Sequence, residues 1–435
     1  MRRKTIALSH KPAVRVRGGP TTLMPMNVWP LVAALAGAVL TVPPAAAAPS
    51  APAFVPCPVV RPASPVPAQP KPPPPDPGRP TVGGDGLATA GLTLPAGAPP
   101  VPGNLSATSW LVADLDTGAV LGACGPHVPH PPASVQKLLL AETLLAKLDP
   151  AQVVEVTQAD LAIERGSSAV GLVVGGHYSV ETLWLGLLLE SGNDTANVLA
   201  RLGGGDGGVP ATLAAMNAEA RRLGALDTHA ATPSGLDGPG QFTTPYDLAL
   251  IARADFARDD FRRYDTARTA QIPAQPPKDP RGFQIQNEDR LLYNYPGALG
   301  GKTGFTDLAR HTFVGAAERG GRRLVVTLLD GEAVPVPGWR QGAELLDWGF
   351  ALPAGATVGH LVTADEADKL LHPPAPTSAP GAQVVTAGGT ARAGAGEPNV
   401  LLAGLGIGAV LAVPLLVLVM NDRARNRRRA RGRRA

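Results

Sequence analysis

Proline determines which part of this 435-residue chain can build a packed domain. Residues 48–103 are rich in proline and include the run Lys71-Pro-Pro-Pro-Pro. This composition is typical of an extended polyproline-type spacer without a core. A second linker is expected over 353–399, which is rich in Ala, Gly, Pro and Thr from Pro373 onward. The stretch between the linkers, 104–352, has the length of one domain of about 250 residues with a substantial core.

The two ends of the chain carry targeting patterns. Residues 1–47 combine a basic start, an apolar run and a small-residue region, which predicts an export signal cut after Ala47. Residues 400–420 contain no charge and are long enough to cross a hydrocarbon core of about 30 Å. The arginine-rich tail 421–435 favours the inside of the membrane. The sequence therefore predicts an extracytoplasmic domain on a single-pass anchor in the cell membrane, with a cytoplasmic tail.

The formal charge of +4 reflects the ends of the chain rather than the domain. Of 39 basic residues, six precede the apolar run of the signal and eight lie in the tail, which leaves 25 between Pro49 and Met420. Against these stand 34 of the 35 acidic residues, so this segment carries a net charge of about −9. A negative domain argues against nucleic acid as a partner.

The chain has two cysteines, Cys57 in the proline-rich segment and Cys124 at the start of the domain. In an oxidising compartment they could pair and attach the linker to the domain, or they could remain two free thiols. The sequence leaves both possibilities open because a disulfide requires a geometry that sequence does not contain.

The predicted strands lie at both ends of the domain, and the predicted helices lie between them. Alternating residues and turn signals predict strands over 109–114, 120–121, 299–304, 312–317 and 324–329. Helical spacing of apolar residues predicts helices over 134–148, 180–189, 211–223, 245–254 and 341–348. This order predicts an α/β (α+β) fold, in which one antiparallel sheet from both chain ends packs with helices and carries a helical insertion.

The motif Ser134-Val-Gln-Lys137 opens the first predicted helix. Residues three apart share one face of a helix, so Lys137 would lie one turn from Ser134. A serine hydroxyl needs a base to become a nucleophile, and a lysine can act as one if burial lowers its pKa. Taken alone, the pair fits equally well with a helix-capping serine and a solvated lysine.

Two further motifs follow along the chain, Ser191-Gly192-Asn193 and Lys302-Thr303-Gly304. The first ends an apolar helix, where it could be a simple cap, or could supply a proton-relaying hydroxyl and a substrate-binding amide. The second begins a strand, where glycine allows close backbone approach while the lysine and threonine offer a charge and a hydroxyl to a carboxylate. Each motif alone is weak evidence for a catalytic site. The occurrence of all three in this order, each on a suitable helix or strand, is improbable by accident.

With these motifs the domain resembles the low-molecular-weight penicillin-binding proteins, and within them the D-alanyl-D-alanine carboxypeptidase family of serine peptidases. The likeness includes Thr232–Asp237, Thr243–Arg253 and Gly300–Asp307, which are more specific than the three short motifs. It implies the fold of serine β-lactamases and penicillin-binding proteins, peptidoglycan stem peptides ending in D-Ala-D-Ala as substrates, and β-lactam antibiotics as inhibitors. We expect neither a cofactor nor a metal, since the histidines show no metal-ligand spacing.

The resemblance also implies a role for each site residue. Ser134 would be the acylated nucleophile and Lys137 its general base. Ser191 and Lys302 would assist proton transfer to the leaving D-alanine. The N–H groups of Ser134 and Phe305 would form the oxyanion hole. The expected substrate-binding residues are Asn193, Thr303, Gly304, Phe305 and Arg340.

Two other functions fit parts of the pattern. A β-lactamase of the same fold would need a carboxylate for deacylation. That carboxylate usually lies in a Glu-x-x-Leu-Asn segment between the second and third motifs, and this sequence has no such segment there. A catalytically idle cell-wall-binding scaffold would not need the intact set of Ser134, Lys137, Ser191 and Lys302.

Overall fold

An antiparallel sheet organises the molecule. The computed structural model describes residues 54–61, 67–74, 79 and 81–372. In the main sheet the strand order is β1-β3-β2-β10-β9-β8, and β11 also pairs with β3. The strands of this sheet are β1 (Leu92–Thr93), β2 (Ser109–Asp114), β3 (Ala119–Cys124), β8 (Ala298–Thr306), β9 (Arg310–Arg319), β10 (Arg322–Gly331) and β11 (Gly359–His360). Two small hairpins are formed by β4 (Val153–Glu155) with β5 (His177–Ser179), and by β6 (Thr269–Ile272) with β7 (Phe283–Gln286).

Helices cover both faces of this sheet. They are α1 (Lys137–Leu144), α2 (Val180–Leu189), α3 (Asn193–Gly203), α4 (Gly208–Leu223), α5 (Pro245–Ala257), α6 (Asp259–Asp265), α7 (Leu291–Asn294), α8 (Gly338–Ala351) and α9 (Ala364–Leu371). Successive residues of a strand point to opposite faces. In β2, Trp110 and Val112 therefore join the core under α8, whereas Leu111 and Ala113 join the larger core formed with α1 to α6.

The predicted fold class is confirmed. Strands from the two halves of the domain meet where β2 pairs with β10, in the register Val112↔Val326. Helices α2 to α6 lie between these halves in the chain and form the helical insertion. Each predicted strand and helix of the domain overlaps an observed element of the same type.

The first predicted helix differs from the observed one. It was expected as one element over 134–148, but the structure divides it into a 3-10 turn, Ala133–Gln136, and the shorter helix α1. Ala133 has a positive φ of 50°, a conformation that L residues rarely adopt and that a continuous helix does not contain. Ser134 therefore lies on a tight turn in front of the helix rather than on its first full turn.

Packed structure extends beyond the predicted domain boundaries of 104 and 352. Two parts of the proline-rich segment bond to the domain: β1 pairs with β3, and the Val60 N–H donates to the Leu105 carbonyl at 2.7 Å. A disulfide joins Cys57 to Cys124, which resolves the alternative that the sequence left open. On the other side, β11 and α9 pack on the body of the domain.

The predicted signal over 1–47, the anchor over 400–420 and the tail over 421–435 lie outside the described residues. Among the residues that are described, none of the helices combines the length and the apolar character that crossing a membrane requires.

We predict that the disulfide contributes strongly to stability. It closes a loop with a sequence separation of 67 residues, for which the chain-entropy estimate is about 4 kcal/mol. Reduction should therefore lower the thermal midpoint of the wild-type protein measured by circular dichroism. Because the chain has only two cysteines, a Cys57→Ala variant serves as the control and should unfold at the lower temperature with or without reductant. Equal midpoints for the oxidised wild type and this variant would contradict the prediction.

Candidate functional site

The turn that carries Ser134 is held between two parts of the fold. On one side, the Thr312 hydroxyl of β9 donates to the Pro132 carbonyl at 2.9 Å. On the other side lies Gly235, where an added Cβ would overlap the Ala133 carbonyl oxygen. Gly235 itself has φ +87°, so glycine is required there for both space and conformation. The strained backbone at Ala133 is thus stabilised by its surroundings, as is common at functional sites.

Lys137 lies directly beneath this turn and is completely buried. Its Nζ donates to Ser134 Oγ at 2.8 Å, to Asn193 Oδ1 at 2.7 Å and to the Ser234 carbonyl at 2.9 Å. These three acceptors match the three donors of an ammonium group. Burial, and then the charge of Lys302, lower the pKa of Lys137 well below its usual range, while Asp194 and Glu288 oppose this shift. Lys137 can therefore exist as a neutral amine in contact with a serine hydroxyl.

The Ser191-Gly192-Asn193 motif forms the corner between α2 and α3. Ser191 is buried with a positive φ of 57°, and Asn193 begins α3 with its side chain on Lys137. The next residue, Asp194, accepts the N–H groups of Val170, Gly171 and Leu172 at 2.9–3.0 Å. This carboxylate holds the loop 170–172, which lies before α2 in the chain, against the start of α3. The corner between α2 and α3 is thereby fixed.

Lys302 lies in the middle of β8, the last strand in the sheet order, rather than at the start of a strand as predicted. Its side chain is buried, and Nζ donates to the Thr303 carbonyl at 3.1 Å. Burial lowers the pKa of Lys302, and the carboxylates of Glu288, Asp265 and Asp289 oppose this shift. Lys302 lies two residues before Gly304, where β8 approaches the Ser134 backbone, and its charge is among the causes that lower the pKa of Lys137.

Gly304 allows β8 to approach the nucleophile closely. A Cβ at this position would lie 2.8 Å from the Ser134 backbone nitrogen and would overlap Thr312 Oγ1. Any larger residue would push the strand away from the turn. The absence of a side chain at Gly304 thus keeps β8 close to the Ser134 backbone.

Two cavities adjoin Thr303. One, of about 610 Å³, is lined by polar residues that include Glu190, Glu288 and Asn294. The other, of about 580 Å³, is lined by Thr303 and Gly304 together with Arg340 from α8 and His311 from β9. The Arg340 side chain is more than half exposed and its Nε lies 3.6 Å from Glu344 Oε1.

The structure thus joins Ser134 and Asn193 through Lys137, and β8, the strand that carries Lys302, approaches the Ser134 backbone at Gly304. Of the other predicted residues, Thr303, Gly304 and Arg340 line one cavity, and Ser191 is buried just before Asn193. Phe305 is half exposed, with its ring 4.7 Å from that of His311.

Sequence reasoning missed two contributions to the site. The first is the Ser234 carbonyl, which lies within Thr232–Asp237, one of the stretches that carry the family resemblance. The second is the buried Asp265, which lies against Gly300 of β8 and for which no local pattern exists because it belongs to α6.

One group of potential metal ligands converges among the described residues, namely His127, Asp227 and Asp247, whose ligand atoms lie within 4.8 Å of one another. The Arg79 guanidinium already pairs with Asp227. A metal ion at this position would be repelled by the guanidinium charge. We therefore interpret the group as an ion-pair cluster rather than as a metal centre.

Comparisons with known proteins agree with this geometry. A family model of D-alanyl-D-alanine carboxypeptidases, peptidase family S11, matches residues 96–333. The D-alanyl-D-alanine carboxypeptidase DacB2 of Mycobacterium tuberculosis is 49% identical over 276 residues, which cover 61% of this chain and 90% of that protein. The D-alanyl-D-alanine carboxypeptidase DacD of Salmonella typhimurium is 32% identical over 58% of this chain and 64% of its own length.

Solved structures give the same result. The crystal structure of a D-alanyl-D-alanine carboxypeptidase from Mycobacterium tuberculosis is 47% identical with a TM-score of 0.58, covering 62% of this chain and 100% of that one. The Streptomyces K15 DD-transpeptidase is 27% identical with a TM-score of 0.55, covering 59% of this chain and 99% of that one. The chain, with a partly exposed serine in contact with a buried lysine beside an antiparallel sheet, belongs to the D-alanyl-D-alanine carboxypeptidase family of serine peptidases.

Proposed function

We propose that this carboxypeptidase works through an acyl-enzyme on Ser134 and trims the terminal D-alanine from peptidoglycan stem peptides at the outer face of the cell membrane. The observation that carries the proposal is the 2.8 Å contact between Ser134 Oγ and a fully buried Lys137 Nζ. Because burial lowers the pKa of this lysine, its neutral form is accessible and can accept the serine proton.

In the first half of the reaction, Lys137 takes the proton from Ser134 Oγ, which attacks the carbonyl carbon of the penultimate D-alanine. The oxygen of the tetrahedral intermediate accepts from the N–H groups of Ser134 and Phe305. The C–N bond then breaks. Lys137 passes the proton that it took from Ser134 through the Ser191 hydroxyl to the leaving amine, with Lys302 as the neighbouring cation, and free D-alanine departs.

In the second half, water replaces the amine. Lys137 accepts a proton from this water, whose oxygen attacks the ester carbon of the acyl-enzyme. The bond to Ser134 Oγ breaks, the hydroxyl is regenerated, and the shortened peptide leaves. Protons balance over the two halves, because the proton from Ser134 leaves on D-alanine and the proton taken from water passes from Lys137 to Ser134 Oγ.

The substrate would lie along the free edge of β8, where an extended peptide can add as a strand. With its scissile carbonyl at the Phe305 N–H and its terminal carboxylate at Thr303, the peptide runs antiparallel to β8. Gly304 permits this close approach, and Asn193 can bind a backbone amide of the peptide. Arg340 lines the cavity next to Thr303 and adds a positive charge near the carboxylate.

We predict that Ser134→Ala abolishes both labelling by fluorescent penicillin and release of D-alanine from a peptide ending in D-Ala-D-Ala. Loss of a nucleophile typically lowers the rate by at least about 10³-fold. The matched control is Ser109→Ala, which removes another buried serine hydroxyl, on β2, and should retain both activities. Rapid turnover of penicillin by the wild type would favour the β-lactamase, and absence of labelling would favour the idle scaffold.

A second prediction concerns pH. Lys137 must be unprotonated, so the acylation rate should rise as pH rises through its pKa, and Lys302 must remain protonated, so the rate should fall as pH rises through its pKa. Both pKa values are lowered, that of Lys137 strongly, which moves this bell-shaped profile below the usual lysine range. The measurement is the penicillin acylation rate across the pH range in which circular dichroism shows the fold intact.

A variant gives this prediction a sharper form. Lys302→Gln removes a positive charge that lowers the pKa of Lys137, so its acid limb should lie at higher pH than that of the wild type. An unchanged acid limb, at any overall rate, would show that Lys137 does not set it.

Membrane attachment is the third part of the proposal. Its support is the uncharged run 400–420 followed by the arginine-rich tail 421–435. We predict that the full chain, expressed in a bacterial host, sediments with membranes, and that a chain ending at Glu397 does not. A chain ending at Met420 is the control and should still sediment. A full chain that remains in the soluble fraction would contradict the anchor.

A further inference from the structure

The loop before α7 borders the end of the cleft at which the substrate carboxylate is placed above. Thr303, the residue proposed to bind that carboxylate, lines two cavities of about 610 and 580 Å³. Two residues of the loop, Glu288 and Arg290, line both cavities as well, whereas Arg340 of α8 lines only the smaller one. Among the described residues, Arg290 is therefore the one arginine that borders both cavities at Thr303.

The backbone of Arg290 is held in place by its neighbours in the chain. Its carbonyl accepts from Asn294 Nδ2 at 2.7 Å, from the Asn294 N–H at 3.2 Å and from the Tyr293 N–H at 3.3 Å. On the two sides of Arg290, Asp289 Oδ1 accepts the Leu291 N–H at 2.9 Å. The arginine side chain consequently extends from a fixed point beside the cavities.

A second set of bonds attaches this loop to the body of the domain. Asn287 is buried, and its Nδ2 donates to the carbonyls of Asp265 at 2.8 Å and Ala267 at 3.0 Å. The Glu288 N–H donates to the Leu189 carbonyl at 3.0 Å. Asp265 is the last residue of α6 and Leu189 the last residue of α2. The loop is thus joined to two helices and does not project freely into solvent.

The guanidinium of Arg290 is exposed, and within the described ranges it forms neither an ion pair nor a side-chain hydrogen bond. Other arginines are engaged: Arg310 Nε lies 2.8 Å from Glu332 Oε1, and the Arg268 guanidinium lies 4.9 Å from the centre of the Tyr293 ring. An exposed arginine is ordinary on a protein surface. Its position on both cavities of the cleft is what distinguishes Arg290.

The charges around the larger cavity show why a cation is needed there. Glu190 and Glu288 both line it, so a substrate carboxylate entering this space would be repelled. An arginine can offset this repulsion, because its planar group presents two parallel N–H donors to a carboxylate. Arg340 is less free to do so, since its Nε already lies 3.6 Å from Glu344 Oε1.

We propose that Arg290 binds the terminal carboxylate of the substrate together with Thr303. It would thereby select peptides that end at the leaving residue over peptides that continue beyond it, because an amide or ester at that position lacks the charge that pairs with the guanidinium. This inference rests on the proposed placement of the carboxylate at Thr303.

The experiment uses a fluorescent penicillin with a free carboxylate and the methyl ester of the same compound. Acylation rates of the full chain are measured with both. Arg290→Gln should lower the rate with the acid about tenfold, the usual effect of losing a hydrogen bond to a charged group, and should leave the rate with the ester unchanged. Arg290→Lys keeps the charge without the paired donors and should give an intermediate rate with the acid.

The matched control is Arg268→Gln. It removes one exposed positive charge next to the same loop, where Arg268 donates to the Leu292 carbonyl at 3.3 Å, but Arg268 lines neither cavity. Both rates should therefore stay at the wild-type values in this variant. The thermal midpoint of Arg290→Gln, measured by circular dichroism, should equal that of the wild type because the side chain is exposed.

Three results would overturn the inference: an unchanged rate with the acid in Arg290→Gln, equal losses with the acid and the ester, or an equal loss in Arg268→Gln. In each of these cases the labelled wild type would leave the acyl-enzyme on Ser134 standing. Absence of labelling in the wild type itself would contradict the proposed acyl-enzyme, and the role of Arg290 would fall with it.

Discussion

One buried lysine side chain joins the elements that make up the site. Lys137 donates to a turn residue, Ser134, to a helix-start residue, Asn193, and to a loop carbonyl, that of Ser234. These groups are 3, 56 and 97 residues away in the chain, so the contact ties together three separate parts of the domain. A lysine that is buried and fully satisfied in this way is held in one position, which is what catalysis by a general base needs.

Close backbone approach is the second requirement, and small residues supply it. The β8 edge reaches the Ser134 nitrogen only because Gly304 has no side chain, and the nucleophile turn keeps its positive φ at Ala133 because Gly235 leaves room for it. The sheet itself is regular, and the side chains of its strands point alternately into the two cores that cover its faces. The unusual geometry is concentrated where the turn, the strand and the corner at Ser191 meet, and the packed cores on both sides of the sheet stabilise it.

Electrostatics divides the work between the two lysines of this cleft. Both are buried and have lowered pKa values, but the neighbouring charges named for Lys302 are all carboxylates, whereas for Lys137 the charge of Lys302 opposes the carboxylates of Asp194 and Glu288. Two like groups in different surroundings can thus take opposite roles in proton transfer.

Sequence by itself determined the local units: the strands and helices, the Ser134–Lys137 pair and the three motifs. Helix faces and strand alternation depend on residues only a few positions apart, so these patterns are visible in the chain. The break of the first helix was not visible, because the turn at Ala133 is imposed by Gly235 and β9 from far along the chain. The same holds for the contact of Lys137 with the Ser234 carbonyl, the pairing of Cys57 with Cys124 and the position of Asp265 against Gly300. Only tertiary structure decided these, since closing the sheet brings together residues whose separation leaves no periodic trace.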